Sequence, residues 1–513
     1  MALAGHYERG GEPARAALWY RRAIEQAIEG GDVDAAIARA TRGVACAADG
    51  SDAEMGELLV LQANAHGWRG ENAEWELCGL EAMRLLEPGS AAWCDAAGAV
   101  ILASGKLGNA ARVIKTAEAL LALPTDEIER LGSAASYAIA LTRPTFYLVF
   151  AERWDLAEAT LARADEAAGR LDRRFGDGGD PAVLAQVHHA RGTQALSSGD
   201  IGGYVRHVEA SRACLMQAGD RRGICTRSAN LGYAHLQLGA DVEAERALVD
   251  ALGEAERLGL HNIRPYVKHN LGLALARLGR VDEARAAEEE AALAFHASGD
   301  RRLEIASRIY LATILAIGGD HEGAAREALA ALAAPDTPPP LRACALATLA
   351  DARVAAQRAG VAREGSAGPS ALAAAREAMD ILTSLRGLEE GESLVRLVYA
   401  EALDAAGEHA AARDAIAEAR ARLLARADKV TEPSLRASFL ERVPENARTM
   451  ERARGSATAF ERSCSRGAWA RWGGEEFTGR RGGQGDQKGF EISLRDHVFH
   501  VSLSRLPVLP ASL

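Results

Sequence analysis

The feature that most constrains this chain is a period. "NLGYAHLQLGADVEAERAL" begins at Asn230, "NLGLALARLGRVDEARAAE" at Asn270 and "YLATILAIGGDHEGAAREA" at Tyr310, each forty residues after the last. One unit upstream, "ARGTQALSSGDIGGYVRHV" begins at Ala190. Glycines keep step at 199, 239, 279 and 319, and a second series runs through Gly219, Gly259 and Gly299. A fixed period of this length implies stacked supersecondary units, each packed on its neighbours, rather than one closed core.

The unit around Leu231 shows what is repeated. Leu231, Ala234, Leu236 and Leu238 give a first helix its apolar surface. Gly239 follows, where a left-handed C-terminal cap favours glycine. Asp241 then stands at a helix start, which favours an acceptor and a negative charge. Ala244, Ala247, Leu248 and Ala251 recur at three- and four-residue steps and give a second helix one apolar face. Gly259 closes it. Each unit reads as a helical hairpin, and one hairpin cannot bury both its faces alone.

Leu231, Gly232, Gly239, Ala244 and Ala251 fall at the spacing of the tetratricopeptide repeat, and Leu271, Gly272, Gly279, Ala284 and Ala291 repeat it. Leu3, Ala4, Tyr7, Gly11, Ala16, Tyr20 and Ala23 match as well. The chain resembles that family, in which a small residue on the first helix lets the second helix's alanine approach. The period exceeds the family's usual length of about 34 residues. In that respect it resembles the longer-helix variants of peptide-responsive regulators and kinesin light chains. The resemblance implies an all-α, right-handed superhelical solenoid of helical hairpins over roughly residues 1 to 450.

Outside the regular units the register loosens. Segments 58–83, 98–120 and 395–419 read as hairpins turned at glycine, and 146–167 as a hairpin without one. "APDTPPPLRA" (334–343) must interrupt the helices, because proline removes a donor and clashes. "GVAREGSAGPSA" (360–371) reads as an enlarged turn. The expected division is 1–180, N-terminal hairpins; 181–334, regular units; 335–454, C-terminal hairpins with insertions; and 455–513, a glycine- and arginine-rich tail that reads as disordered or as out-of-frame sequence. In that tail "ISLRDHVFHVSL" alternates enough for one short strand. Met1 opens directly on a helix with no cap. "LAGHYERGGEPARAALWYRRAIEQA" looks like the repeat that follows the ATPase module in large bacterial signalling proteins, and "SFLERVPENAR" (438–448) resembles the closing segment of such arms. These resemblances imply a repeat arm whose ATPase or kinase module lies elsewhere or has been lost.

The balance of charge, -11, and the lack of a basic stripe argue against nucleic acid as a partner. No apolar run is long enough for a membrane span; "YAIALTRPTFYLVFA" is broken by Arg143 and Pro144. Seven cysteines with no Cys-x-x-Cys pair read as free thiols in a reducing, cytoplasmic compartment.

Several stretches suggest chemistry. "RWGGEEF" (471–477) looks like the signature hairpin of diguanylate cyclases. Such a site needs a magnesium-binding aspartate on an upstream strand, and 433–457 contains no aspartate. The 36 residues after Phe477 are too few to finish such a domain. "ASGKLG" (103–108) lacks the first glycine and the Ser/Thr of a phosphate-binding loop and reads as a hairpin turn. His188 and His189 are adjacent on one helix and point about 100° apart, which chelates poorly. Neither they nor His497 and His500 gain a completing cluster. No metal and no cofactor is expected.

The resemblance places the first helix of each hairpin on the concave groove. The candidates there are Gln186, His189 and Thr193; Asn230 and Tyr233; Tyr266, His269 and Asn270; and Tyr310 and Thr313. Asn230 and Asn270 hold the same position in consecutive units. In peptide-binding relatives, asparagines at that site hold the ligand backbone, since an amide both donates and accepts. The plainer reading is that they satisfy neighbouring carbonyls. The function expected is a non-enzymatic protein- or peptide-binding scaffold or sensor arm in a bacterial signalling or transcription-regulating ATPase or kinase system. The alternative is a fragment of a signalling enzyme with a degenerate cyclase-like tail.

Overall fold

The computed structural model describes residues 1–48, 50–175, 179–335, 337–361, 367–455, 489–494 and 497–502. They fall into two compact units, Met1–Ala453 and Arg454–Leu513. The first is an all-α solenoid of antiparallel helical hairpins. In its regular part the hairpins are Pro181–Ser197 with Ile201–Ala218, Arg221–Gln237 with Asp241–Arg257, Ile263–Arg277 with Val281–Ser298, and Arg301–Ile317 with His321–Ala333.

Glycine and aspartate set the period physically. Gly199, Gly239, Gly279 and Gly319, and the second series Gly219, Gly259 and Gly299, all have φ between 65° and 84°. That is the left-handed conformation that ends a helix and that other L-residues resist. Where aspartate follows the glycine, it caps the next helix. Asp200, Asp220, Asp300 and Asp320 accept from the amides of Gly203, Gly223, Leu303 and Gly323 at 2.7, 2.9, 3.2 and 2.8 Å. Asp241 differs from this expectation. Ala240 holds the cap position, and Asp241 is the first helical residue. Its carboxylate lies 3.6 Å from the Arg277 guanidinium instead.

The hairpins close over small residues. A Cβ on Gly232 would stand 2.5 Å from Leu248 Cγ, and one on Gly272 would stand 3.1 Å from the Ala284 carbonyl oxygen. The second helix's alanine does come close at Gly272. At Gly232 the side chain that fills the space is leucine.

The irregular parts have local causes. At 146–167 the turn glycine is replaced by Glu152, the one non-glycine residue with positive φ among those described, at 60°. Pro144 splits the apolar run into Ala134–Thr142 and Thr145–Phe150. The prolines of 334–343 separate His321–Ala333 from Pro339–Arg358, where Pro339 takes the first helical position.

Contacts between non-neighbouring hairpins complete the fold. Asn72 donates to the Ser298 carbonyl, Lys106 pairs with Asp300, Arg222 donates to the Ile28 carbonyl, and Lys429 donates to the Ser198 carbonyl, across 194 to 231 residues. The chain therefore comes back over itself within this unit. Glycine turns meet at this seam: a Cβ on Gly259 would lie 2.8 Å from the Gly31 oxygen.

In the second unit Gly489–Leu494 pairs antiparallel with His497–Ser502, with Phe490 opposite Val501. The single strand expected here is therefore a hairpin. "RWGGEEF" and the rest of 456–488 lie outside the described residues.

Candidate functional site

The first helices of successive hairpins face one another across a cavity of about 870 Å³ within the first unit. That volume suits a small molecule or a short peptide. All ten candidate residues line it: Gln186, His189, Thr193, Asn230, Tyr233, Tyr266, His269, Asn270, Tyr310 and Thr313. The repeat explains the convergence. Residues forty apart occupy equivalent places, so Asn230, Asn270 and Tyr310 form one row and Thr193, Tyr233, Leu273 and Thr313 another.

The two asparagines are not alike. Asn270 is 1% exposed and its Nδ2 donates to the Tyr266 carbonyl at 2.9 Å. This is the plainer role, a neighbouring carbonyl satisfied one turn back. Asn230 is 7% exposed, lines the cavity, and has no side-chain hydrogen bond among the described residues. Neither atom of its amide is fully buried; they face the open cavity, where a ligand or a water can pair them.

Around them the wall is fixed by a polar network. His269 stacks on Tyr310, with ring centroids 4.1 Å apart and planes 16° apart. Its Nδ1 lies 2.8 Å from Glu288 Oε1, on the hairpin's second helix. The Tyr310 hydroxyl donates to the Glu390 carboxylate at 2.9 and 3.0 Å, and the Tyr233 hydroxyl reaches it at 3.5 Å. Cys344 Sγ lies 3.4 Å from the Glu390 carbonyl. Burial, with Glu390 and Glu389 nearby, raises the Cys344 thiol far above its ordinary value, which leaves it protonated and unreactive. Burial holds the His189 imidazole well below 6.5, with Arg227 and Arg143 adding to the effect, and its Nδ1 is buried without a partner.

Several lining residues carried no signal in the repeat. Arg143 follows the helix that ends before Pro144, and Phe146, Tyr147 and Phe150 lie just beyond it. Glu389 and Glu390 come from the turn before the helix Glu392–Ala405. Arg227 stands on a regular first helix where the other units place Val187, Val267 and Ser307, whereas Arg302 repeats Arg222 two units upstream. Arg227 stands one turn before Asn230, a spacing that would have marked it.

The remaining sequence candidates lie elsewhere. The Gly105-Lys106 pair belongs to a hairpin turn; Lys106 Nζ is 2.9 Å from Asp300 Oδ2. His188 faces His207, nitrogen to nitrogen at 3.2 Å, away from His189's cavity. Among the described residues, no group of three His, Cys, Asp or Glu side chains could hold a metal ion. No described helix is long and apolar enough to cross a membrane.

No family model matches the sequence, and no curated protein is detectably similar to it. Among solved structures, the chain is similar to a Rap protein complexed with competence and sporulation factor. That match has 14% identity and a TM-score of 0.43 and covers 80% of this chain and 99% of the other. It is similar to the apo quorum sensor NprR from B. thuringiensis at 12% identity and a TM-score of 0.39, over 69% of this chain and 98% of that one. It is also similar to a signal-transduction ATPase with a tetratricopeptide repeat sensor from Pyrococcus horikoshii, at 12% identity and a TM-score of 0.38. There it spans 62% of its own length and 49% of the other's. At these values the likenesses carry no argument about a ligand. The tetratricopeptide-like architecture stands on the chain's own forty-residue hairpins.

Proposed function

We propose that this chain is a non-enzymatic sensor arm that holds a short peptide in its internal cavity. We place it in a bacterial, cytoplasmic signalling or transcription-regulating system built around an ATPase or kinase. The observation that carries the peptide reading is Asn230, whose amide has no side-chain hydrogen bond among the described residues and opens on the cavity in register with Asn270. An amide pairs with a peptide backbone in both directions, donor to carbonyl and acceptor to N–H. The tyrosines and histidines around it offer flat apolar faces with polar edges, which suit side chains of mixed character. The place in an ATPase or kinase system rests on the resemblance of the N-terminal and 438–448 segments to repeat arms.

The test uses the full chain, immobilised, and a degenerate heptapeptide library. Retained peptides are read by mass spectrometry. The wild type is expected to retain a defined subset, and Asn230→Ala to lose it with an unchanged melting temperature. Equal retention by both would overturn the reading. "GGEEF" supports one other reading, a cyclase remnant; magnesium-dependent GTP turnover abolished by Glu475→Ala with Glu476→Ala would establish it.

A further inference from the structure

The turn between Ala371–Ser384 and Glu392–Ala405 reaches beyond its own hairpin. Leu388 is 1% exposed and anchors the turn's base in the core that those two helices share with Pro339–Arg358. The Glu390 carbonyl accepts from Cys344 Sγ on the same side, at 3.4 Å. From this base the turn crosses to helices much earlier in the chain. The Arg386 guanidinium carbon lies 5.8 Å from the Trp154 ring centroid, and the guanidinium is 3.6 Å from Glu158. Gly387 sits so close to the end of Pro181–Ser197 that a Cβ on it would stand 2.5 Å from the Ser197 carbonyl oxygen. The Glu390 carboxylate accepts from the Tyr310 hydroxyl at 2.9 Å and, 157 residues away in sequence, from that of Tyr233 at 3.5 Å. Glu389, Glu390 and Gly391 themselves line the cavity.

The contacts at the tip are weak ones. Arg386 and Glu158 are 67% and 59% exposed, and an exposed ion pair contributes little. The Tyr233 hydroxyl is further from Glu390 than a strong hydrogen bond allows. Glu389 and Glu390 set two carboxylates side by side, and neither reaches ion-pair distance of a cation among the described residues. Burial raises the Glu389 carboxyl; Arg302, acting from further off, opposes this, and Glu390 adds to it. Gly391 closes the turn at φ 88°, a left-handed pivot that a residue with a Cβ resists. A turn held firmly at its base and loosely at its tip can release the tip while the base stays folded.

We infer that the turn 386–391 is a clasp: its tip, gripping Trp154, Ser197 and Tyr233, holds the cavity closed in the free protein, and a ligand enters when that grip lets go. This rests on the cavity being the binding site proposed above and adds its control.

Cys344 lines the cavity beside the turn, so its alkylation by iodoacetamide in the full chain, read by mass spectrometry, reports entry. Burial and the two glutamates raise its thiol, so the wild-type rate is slow. Cys94, fully buried in a separate core, reports unfolding. Gly387→Ala forces the turn off Ser197, because its Cβ has no room there. It is expected to speed Cys344 modification by about tenfold or more while Cys94 stays protected. Arg386→Ala removes only an exposed contact and is expected to speed it by about two- to fivefold. It is the deciding variant should Gly387→Ala expose Cys94 as well. An unchanged Cys344 rate in the variants that keep Cys94 protected would overturn the clasp. The heptapeptide library separates this inference from the peptide reading, since both variants are expected to retain more peptide than the wild type. Faster Cys344 modification with no peptide retained by any of the three proteins would overturn the peptide reading and leave the clasp standing. Peptide retained equally by all three, with Cys344 unchanged, would do the reverse.

Discussion

At the scale of single residues, equivalent positions in a repeat do different work. Asn270 is satisfied in the free protein and Asn230 is not. Asn270→Ala should therefore cost about 1 kcal/mol of stability, one net hydrogen bond. Asn230→Ala should change stability by less than about 0.5 kcal/mol. Urea melts of the two variants check this; equal losses would show that Asn230 is tied down in the free state. His189 gives a pH dependence. Burial holds its folded value well below 6.5, so below that pH the unfolded chain binds a proton that the folded one refuses. Stability is full above 6.5 and declines as pH falls beneath it. His189→Asn should flatten the decline between pH 6.5 and 5 by up to about 1.4 kcal/mol per pH unit. An unaltered slope would mean that the imidazole is reached by water. All three residues were legible as cavity-facing in the sequence, because the period fixes which side of each first helix they share. Their hydrogen-bond state was not, since it depends on which neighbour the third dimension supplies.

At the scale of elements, the hairpin depends on a few small residues. Gly232→Leu would drive a side chain into Leu248, and Gly272→Leu into Glu288 and the Ala284 carbonyl. Each should destabilise by roughly 1–3 kcal/mol. Gly272→Leu should also disturb the cavity wall, because Glu288 holds His269. Unfolding midpoints equal to the wild type's in both variants would show the register to be wrong. The opposite change is available at Glu152, which takes a positive φ of 60° at a hairpin turn. Left-handed backbone costs a residue with a Cβ about 1 kcal/mol or more, so Glu152→Gly should raise the midpoint. A lowered midpoint would mean that the Glu152 side chain contributes more than its backbone costs. These elements were readable because glycine turns and apolar periodicity are local signals. The turn of 386–391, which brings Glu389 and Glu390 into the cavity, was not. Nothing within it predicts what lies across from it.

At the scale of the molecule, the question is how far hairpins feel one another. In an open solenoid each repeat touches only its neighbours, and stability propagates from unit to unit. Here the seam joins segments 194 to 231 residues apart, which couples the N-terminal helices, and Lys429 at the C-terminal side, directly to the central units. Lys106 and Asp300 are its most buried ion pair, 2.9 Å apart with Asp300 only 4% exposed. Burial disfavours the Lys106 charge, but the attraction of Asp300 outweighs it and holds the ammonium above 10.5. The pair's contribution is thus fully present at neutral pH and is lost only as pH rises past that value. Lys106→Met leaves the Asp300 carboxylate buried beside an apolar chain, at a cost on the order of 3 kcal/mol. Adding Asp300→Asn should recover part of it, because the asparagine can still cap Leu303 and no charge remains. The seam also makes a kinetic and spectroscopic prediction. Five of the seven tryptophans, at 19, 68, 75, 93 and 154, lie in the N-terminal hairpins, so fluorescence follows those hairpins while circular dichroism follows all the helices. In the wild type the two urea transitions should coincide. In Lys106→Met the fluorescence transition should come first, as the N-terminal hairpins part from the rest. Coincident transitions at an unchanged midpoint in that variant would mean that the hairpins are held by their neighbours alone and that the seam is a contact without consequence.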